Sequence, residues 1–288
     1  MVRDFPVGGR SDRARAWLAA GGSTAVAPGA ADAAAPGAAD AVAPGAAPAA
    51  TVLLLRDTAR GVEVFTMRRV ASMDFAAGMT VFPGGRVDPA DFDVAVPWAG
   101  PSVAEWSRRL GVEPGLARAV VVAAVRELFE ECGVLLAGDP VADVAAPLWR
   151  AERAALLARA TGLGELLRRH RLVLRSDLLS ARARWVTPQF ESRRYDTWFF
   201  AALLPAGQGA DDASPETDQA GWTSPTQVLA DHASGRVELL PPTVVAMESV
   251  AAATSARSFL ASAAVVQPVL PWLAEDGADL VIRCELPV

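Results

Sequence analysis

The apolar positions change rhythm along the chain, and each rhythm predicts a different element. From residue 25 to 50 there is no rhythm: an APGAAD-like unit recurs as VAPGAADA, AAPGAADA and VAPGAAPA. Its Pro and Gly break helices and its Ala and Asp present no alternating face, which predicts a disordered or polyproline-like linker without chemistry. Ahead of it, residues 1–24 have room for one short helix around Ala14–Ala20. Continuous order is expected from ATVLLLRD (Ala50–Asp57), a strand; a turn around Thr58–Gly61 followed by VEVFTMRR predicts a hairpin. MTVF reads as a further strand that Pro83-Gly84-Gly85 ends in a loop. Residues about 92–115 are mixed, with Pro and Trp, and read as an insertion.

Leu116–Cys132 predicts a helix, and residues 147–170 a second helical region broken at Gly162 and Gly164. ARWVTP and DTWFFAALLP predict strands. PTQVLADHASG predicts a helix with Pro225 in its first turn, LPPTVVAMESVAAA another, and VIRCELPV a terminal strand. Strands and helices alternate without a regular βαβ beat, which favours a mixed-sheet α/β domain over a doubly wound one. The layout expected is a largely disordered tail over 1–50, one domain over 51–250, and a C-terminal extension over 251–288 packing on it.

One predicted helix carries the wrong residues for simple burial. RELFEECGV (Arg126–Val134) sets three glutamates inside an apolar run. At 3.6 residues per turn, Glu127, Glu130 and Glu131 share a face, with Gly133 as the C-terminal stop. Like charges at that spacing cost a helix ~0.2–0.5 kcal/mol per pair. A hard divalent cation, which prefers carboxylate oxygens, would offset the repulsion. A solvated acidic face is the other reading of these nine residues.

Composition narrows the classes. The chain has 288 residues, a net charge of −6 and a pI near 5.1. An acidic chain is a poor binder of nucleic acid or anionic membrane. Every Lys/Arg position is arginine, which fits either phosphate recognition or codon habit. Cys132 and Cys284 stand alone, without a CxxC or Cys/His spacing, so neither a disulfide framework nor a zinc site is expected. No apolar run is long enough to span a membrane, and a reducing, cytoplasmic setting is expected.

The glutamate helix and the FPGG loop together resemble the Nudix hydrolase signature, G-x5-E-x7-R-E-U-x-E-E-x-G-U with U apolar. The second half is present as Arg126, Glu127, Leu128, Glu130, Glu131, Gly133 and Val134. The first half begins at Gly85, with Asp91 where the family has Glu. Gly85 and Arg126 are 41 positions apart against 14 in the signature, so about 27 residues are inserted. Within the family, the chain is most similar to the acyl-coenzyme A diphosphatases, which carry such an insertion and a coenzyme A signature upstream. Thr66, Arg68, Gly78, Phe82, Pro83, Gly84 and Gly85 match that signature; Val64-Phe65, Arg69 and Asp74 depart from it. The resemblance covers most of residues 51–250 and includes WVTPQFESRRYDTWFF and ETDQAGWTSPTQVLADHASG.

The resemblance implies an α/β/α sandwich around a mixed sheet and metal-dependent hydrolysis of a diphosphate linkage. It implies that Glu127, Glu130 and Glu131 hold Mg²⁺ or Mn²⁺ with the Gly85 carbonyl, and that Arg126 braces a glutamate. Glu216 is the candidate general base, Asp218 the second and Glu127 the alternative. Arg68, Arg193 and Arg194 are candidate phosphate binders, each equally readable as a surface ion pair. The implied substrate is a small molecule, coenzyme A or an acyl-CoA, cleaved to 3′,5′-ADP and an (acyl-)4′-phosphopantetheine, with no nucleic-acid or membrane partner. ADP-ribose, a dinucleotide or a nucleoside triphosphate would suit the same chemistry, and a non-catalytic binding module is the rival class. The insertion is expected to leave the metal site intact and to shape substrate access.

Overall fold

The computed structural model describes residues 1–24, 42–69, 78–138, 147–211, 217–262 and 266–287. The chain opens with β1 (Val2–Pro6) and α1 (Ser11–Ala19), then forms a hairpin of β2 (Ala47–Thr58) and β3 (Gly61–Arg69). Two short strands follow, β4 (Thr80–Val81) and β5 (Gly84–Arg86), then a 3-10 turn over Pro89–Phe92. The predicted insertion contributes β6 (Trp98–Ala99), α2 (Val103–Leu110) and the first turn of α3 (Pro114–Cys132). Next come α4 (Pro147–Leu157), α5 (Leu163–Arg169), β7 (Leu174–Arg175), β8 (Ser180–Val186) and β9 (Tyr195–Leu203). The chain continues through β10 (Thr217–Thr223), α6 (Pro225–Ala233), α7 (Pro241–Ala251) and α8 (Ala256–Ala261). It closes with β11 (Pro268–Val269), β12 (Trp272–Asp276) and β13 (Asp279–Glu285).

The main sheet runs β10-β3-β2-β9-β8-β11, with β4 on β3 and β5 on β2. It is mixed: β2 lies parallel to β9 over Ala47–Leu55, while β3 and β5 run antiparallel to β2. β2 is apolar on both faces because both are covered, which explains why its sequence does not alternate. Val52 and Leu54 join Trp198 and Phe200 of β9 in a core with α2 and α3. Leu53 and Leu55 join Phe199 and Ala201 in a second core with α7, α8 and the two chain ends. The architecture is the expected α/β/α sandwich around a mixed sheet. Among the described residues no helix is long and apolar enough to cross a membrane.

Three expectations are corrected. Residues 2–6 are a strand paired antiparallel with 281–285, and α1 buries Ala14, so the described part of residues 1–24 is built into the molecule. Most of the Ala/Pro/Gly repeat lies outside the described residues, while β2 begins three residues earlier than expected, at Ala47. The FPGG loop is also partly strand: Gly84 and Gly85 pair with Thr51 and Ala50. From residues 251–288, Val269, Leu273, Ile282 and Cys284 lie in the second core.

Candidate active site

α3 sets the chemistry. Pro114 opens it at a position where a missing N–H costs nothing, and Gly133 closes it with φ 75°, its N–H on Phe129 O at 3.0 Å. From Leu116 to Cys132 the helix is apolar on nearly every side, as a helix wrapped by other elements must be. Arg126, Glu130 and Glu131 are therefore at most 8 % exposed. Burying them demands partners.

Arg126 is the hub. Its Nε and Nη2 hold Asp91 Oδ1 and Oδ2 at 2.9 Å each, Nη1 holds Glu127 Oε1 at 2.8 Å and Glu130 Oε2 at 3.1 Å, and Nη2 donates to Arg86 O at 2.9 Å. Asp91, standing at the signature's glutamate position, also accepts the Asp88 N–H at 2.7 Å and so caps its own turn. The two halves of the split signature meet despite their separation in sequence. Gly84 N–H donates to Glu131 Oε2 at 2.7 Å. A Cβ on Gly85 would lie 2.4 Å from Glu127 Oε1, so only glycine lets the carboxylate rest on the β5 backbone.

The charges at this hub do not balance. One guanidinium serves three carboxylates, and Glu131 lies on the adjacent glycine. Burial pushes Glu127 up to about 7 against the pull of Arg126, with Glu130 pushing the same way. Burial likewise raises Glu130 and Asp91, again against Arg126. The Arg126 guanidinium itself is raised, its carboxylate partners outweighing its burial. Among the described residues no three of these acids close into a ready-made cage, because Arg126 lies between Glu127 and Glu130. The donor set still suits a hard cation: carboxylate oxygens and backbone carbonyls, desolvated and short of positive charge.

The carboxylates open into a cleft of about 1220 Å³. Its floor is Thr51 of β2, Thr197 and Phe199 of β9 and Trp185 of β8. Arg193 and Arg194 line it. Arg194 is largely committed to structure, its Nε on Thr187 O at 3.0 Å and Nη1 on Pro44 O at 2.7 Å. Arg68 is not among the lining residues; it is exposed on β3, with Nε on Gly78 O at 3.3 Å. Glu216 lies outside the described residues, as does the side chain of Asp218. No residue from 92 to 115 is among those lining the cleft; from the insertion, Trp106, Leu110 and Val112 instead fill the core beside α3.

Two residues escaped the sequence reading. Arg153 of α4 donates from Nε to Glu130 O at 2.8 Å and from Nη1 to Asp211 Oδ1 at 2.6 Å, tying down the C-terminal end of α3. Nothing in PLWRAERAALL distinguishes it from its neighbouring arginine. Arg10 also lines the cleft, from a segment read as tail.

No family model matches the chain. It is 25 % identical to acyl-coenzyme A diphosphatase NUDT19 of Xenopus laevis, over 62 % of this chain and 57 % of that protein. It is 28 % identical to putative nudix hydrolase 7 of Caenorhabditis elegans, over 68 % of this chain and again 57 % of the relative. The chain thus matches little more than half the length of these curated relatives. Among solved structures, a NUDIX hydrolase from Alicyclobacillus acidocaldarius superposes with a TM-score of 0.63 at 28 % identity, covering 76 % of this chain and 97 % of that one.

Proposed function

We propose that this chain, which belongs to the Nudix superfamily by fold and by signature residues, is a metal-dependent hydrolase of a diphosphate linkage in a nucleoside diphosphate derivative, with coenzyme A or an acyl-CoA as the favoured substrate. One observation carries the hydrolase reading: buried carboxylates outnumber their single arginine at a glycine loop that opens into a cleft. The substrate class rests on likeness to an acyl-coenzyme A diphosphatase and on the upstream match at Thr66, Arg68, Gly78 and Phe82-Pro83-Gly84-Gly85.

Glu127, Glu130 and Glu131, with the Gly85 carbonyl, would hold Mg²⁺ or Mn²⁺. A bound cation would neutralise diphosphate oxygens and make a water more acidic. The chain's own residues prepare that site. Arg126 fixes Glu127 and Glu130 by charge-assisted hydrogen bonds, and Asp91 fixes Arg126 from behind with a two-point grip. Gly84 N–H orients Glu131, and Arg153 anchors the last turn of the helix. Arg193 is the candidate contact for a substrate phosphate. Glu216, with Glu127 as the alternative, is the candidate base. A small-molecule substrate and a cytoplasmic setting complete the reading.

The test is a substrate screen of the purified chain with Mg²⁺ and with Mn²⁺, products identified by mass. The expected outcome is 3′,5′-ADP plus an acyl-4′-phosphopantetheine, abolished by chelation. Cleavage of ADP-ribose, a dinucleotide or a nucleoside triphosphate in preference to CoA esters would move the substrate within the same chemistry. Absence of metal-dependent cleavage on all of them would overturn the hydrolase reading in favour of a binding module.

A further inference from the structure

We propose that Arg10 is a substrate-recognition residue: it provides a cationic subsite in the cleft for a second anionic group of the substrate, a phosphate monoester separate from the scissile diphosphate. The inference deepens the diphosphatase reading and rests on it.

The N-terminal segment is placed firmly enough to serve as a cleft wall. β1 pairs with β13 over five residues, and the Met1 amino group donates to Leu286 O at 2.8 Å. Phe5 and Val7 are buried in the second core, together with Ala14 of α1. Between these anchors a 3-10 turn, Gly8–Arg10, carries Arg10 to the cleft alongside Trp185, Pro271 and Ile282.

The guanidinium there is unusually available. Its Nε donates to Val7 O at 2.9 Å, which fixes the plane of the group, while no hydrogen bond among the described residues engages Nη1 or Nη2. Burial lowers its pKa, and the charges that act on it are Glu191, Glu238 and Arg13. Glu191 is already ion-paired with Arg13, and Glu238 is exposed. Two other arginines of the cleft are more occupied: Arg126 donates from all three of its nitrogens and Arg194 spends two of its nitrogens on carbonyls. A planar fork held at one edge, on a residue that lines the cleft and with two N–H-bearing nitrogens that no described residue engages, matches a phosphate monoester better than a neutral group. A ligand lacking that phosphate would leave the desolvated charge unanswered, which is how such a site discriminates.

Equilibrium binding to the full chain with Mg²⁺ tests this without needing turnover, using adenosine 3′,5′-bisphosphate and AMP as probes. The unaltered chain should bind the bisphosphate at least about 10-fold more tightly, Arg10→Ala should remove most of that difference, and Arg10→Lys should restore part of it. With CoA as substrate, Arg10→Ala should raise KM by about the same factor and change kcat less. Equal affinity for the two probes in the unaltered chain, binding of neither, or an equal loss for both in Arg10→Ala would overturn the proposal. The comparison in the unaltered chain stands even if the variant folds poorly. Discrimination between the probes without hydrolysis of any diphosphate would keep the subsite and sink the diphosphatase reading instead.

Discussion

Two buried arginines sit on the same fold and answer different questions. Arg184 of β8 meets Asp196 of β9 through Nε and Nη2 at 2.9 and 2.8 Å, and both side chains are at most 3 % exposed. Asp196 also accepts the Ala43 N–H at 2.9 Å, and the guanidinium lies 4.5 Å from the Trp198 ring centre. Here one positive charge meets one negative charge. Arg126 instead faces Asp91, Glu127 and Glu130, all three raised by burial. The first arrangement is complete as folded. The second is stable only with a further positive charge or with protons on the carboxylates, so it has reason to recruit a cation.

The strongest test of that contrast is Glu131→Gln. It keeps the shape and the hydrogen bond from Gly84 but removes a charge, and turnover should fall on the order of 10²–10⁴-fold, the scale of losing an essential charged group. The metal-free variant should melt no lower than the parent. Parental turnover would mean the acidic face is only a surface feature.

At the balanced centre the effect should reverse character. Asp196→Ala takes the carboxylate away from a buried guanidinium, and should cost about 3–5 kcal/mol in chemical unfolding, while kcat of the folded fraction stays near the parent's. A cost below about 1 kcal/mol would show that water reaches Arg184 and that the two centres differ less than their burial suggests.

Metal should separate the centres again. At 100 times its dissociation constant, Mg²⁺ should stabilise the parent by about 2.7 kcal/mol and should do the same for any Asp196 variant that remains folded. It should do much less for Glu131→Gln. Melting curves with Mg²⁺ and with chelator on all three chains decide it; equal shifts in all three would place the cation elsewhere.

The smallest expected effect is on pH. Glu127 goes from an ordinary 4.5 to about 7, so between those values the metal-free folded state holds a proton the unfolded state has lost. Its contribution to stability is present below 4.5 and is lost as pH rises through 7. Surface acids held low by arginine, such as Asp4 beside Arg283 and Asp93 beside Arg168, finish titrating below that window. Chelated protein should therefore melt lower at pH 7.5 than at pH 5.5, and saturating Mg²⁺ should flatten the difference. A rise with pH in the chelated protein would mean another group governs this window.

The acidic centre was legible in the sequence because its signal is local: Glu127, Glu130 and Glu131 fall on one turn and Gly133 ends it. The split between Gly85 and Arg126 was recoverable because both halves keep their internal spacing. The balanced centre was not legible, since Arg184 and Asp196 lie in separate apolar strands and only strand pairing joins them. β1 was missed for the same reason: VRDFP has one buried residue, Phe5, and gains its pairing from a strand at the other end of the chain. Arg68 and Arg194 looked like phosphate binders by type and motif, yet backbone carbonyls take up nitrogens of both.

The pairing of β1 with β13 has a consequence for how the protein is made. Asp4 leaves the ribosome 279 residues before Arg283, the residue that holds it through paired hydrogen bonds. At about 5–20 residues per second that is an interval of tens of seconds during translation. Over that time the wall carrying Arg10 lacks the strand against which it docks, so the cleft should be the last part of the nascent molecule to take shape. Ribosome-bound chains stalled near residue 270 should accordingly be cut by protease within residues 2–19, while full-length released chains resist; equal resistance in both would show that the wall docks without its partner strand.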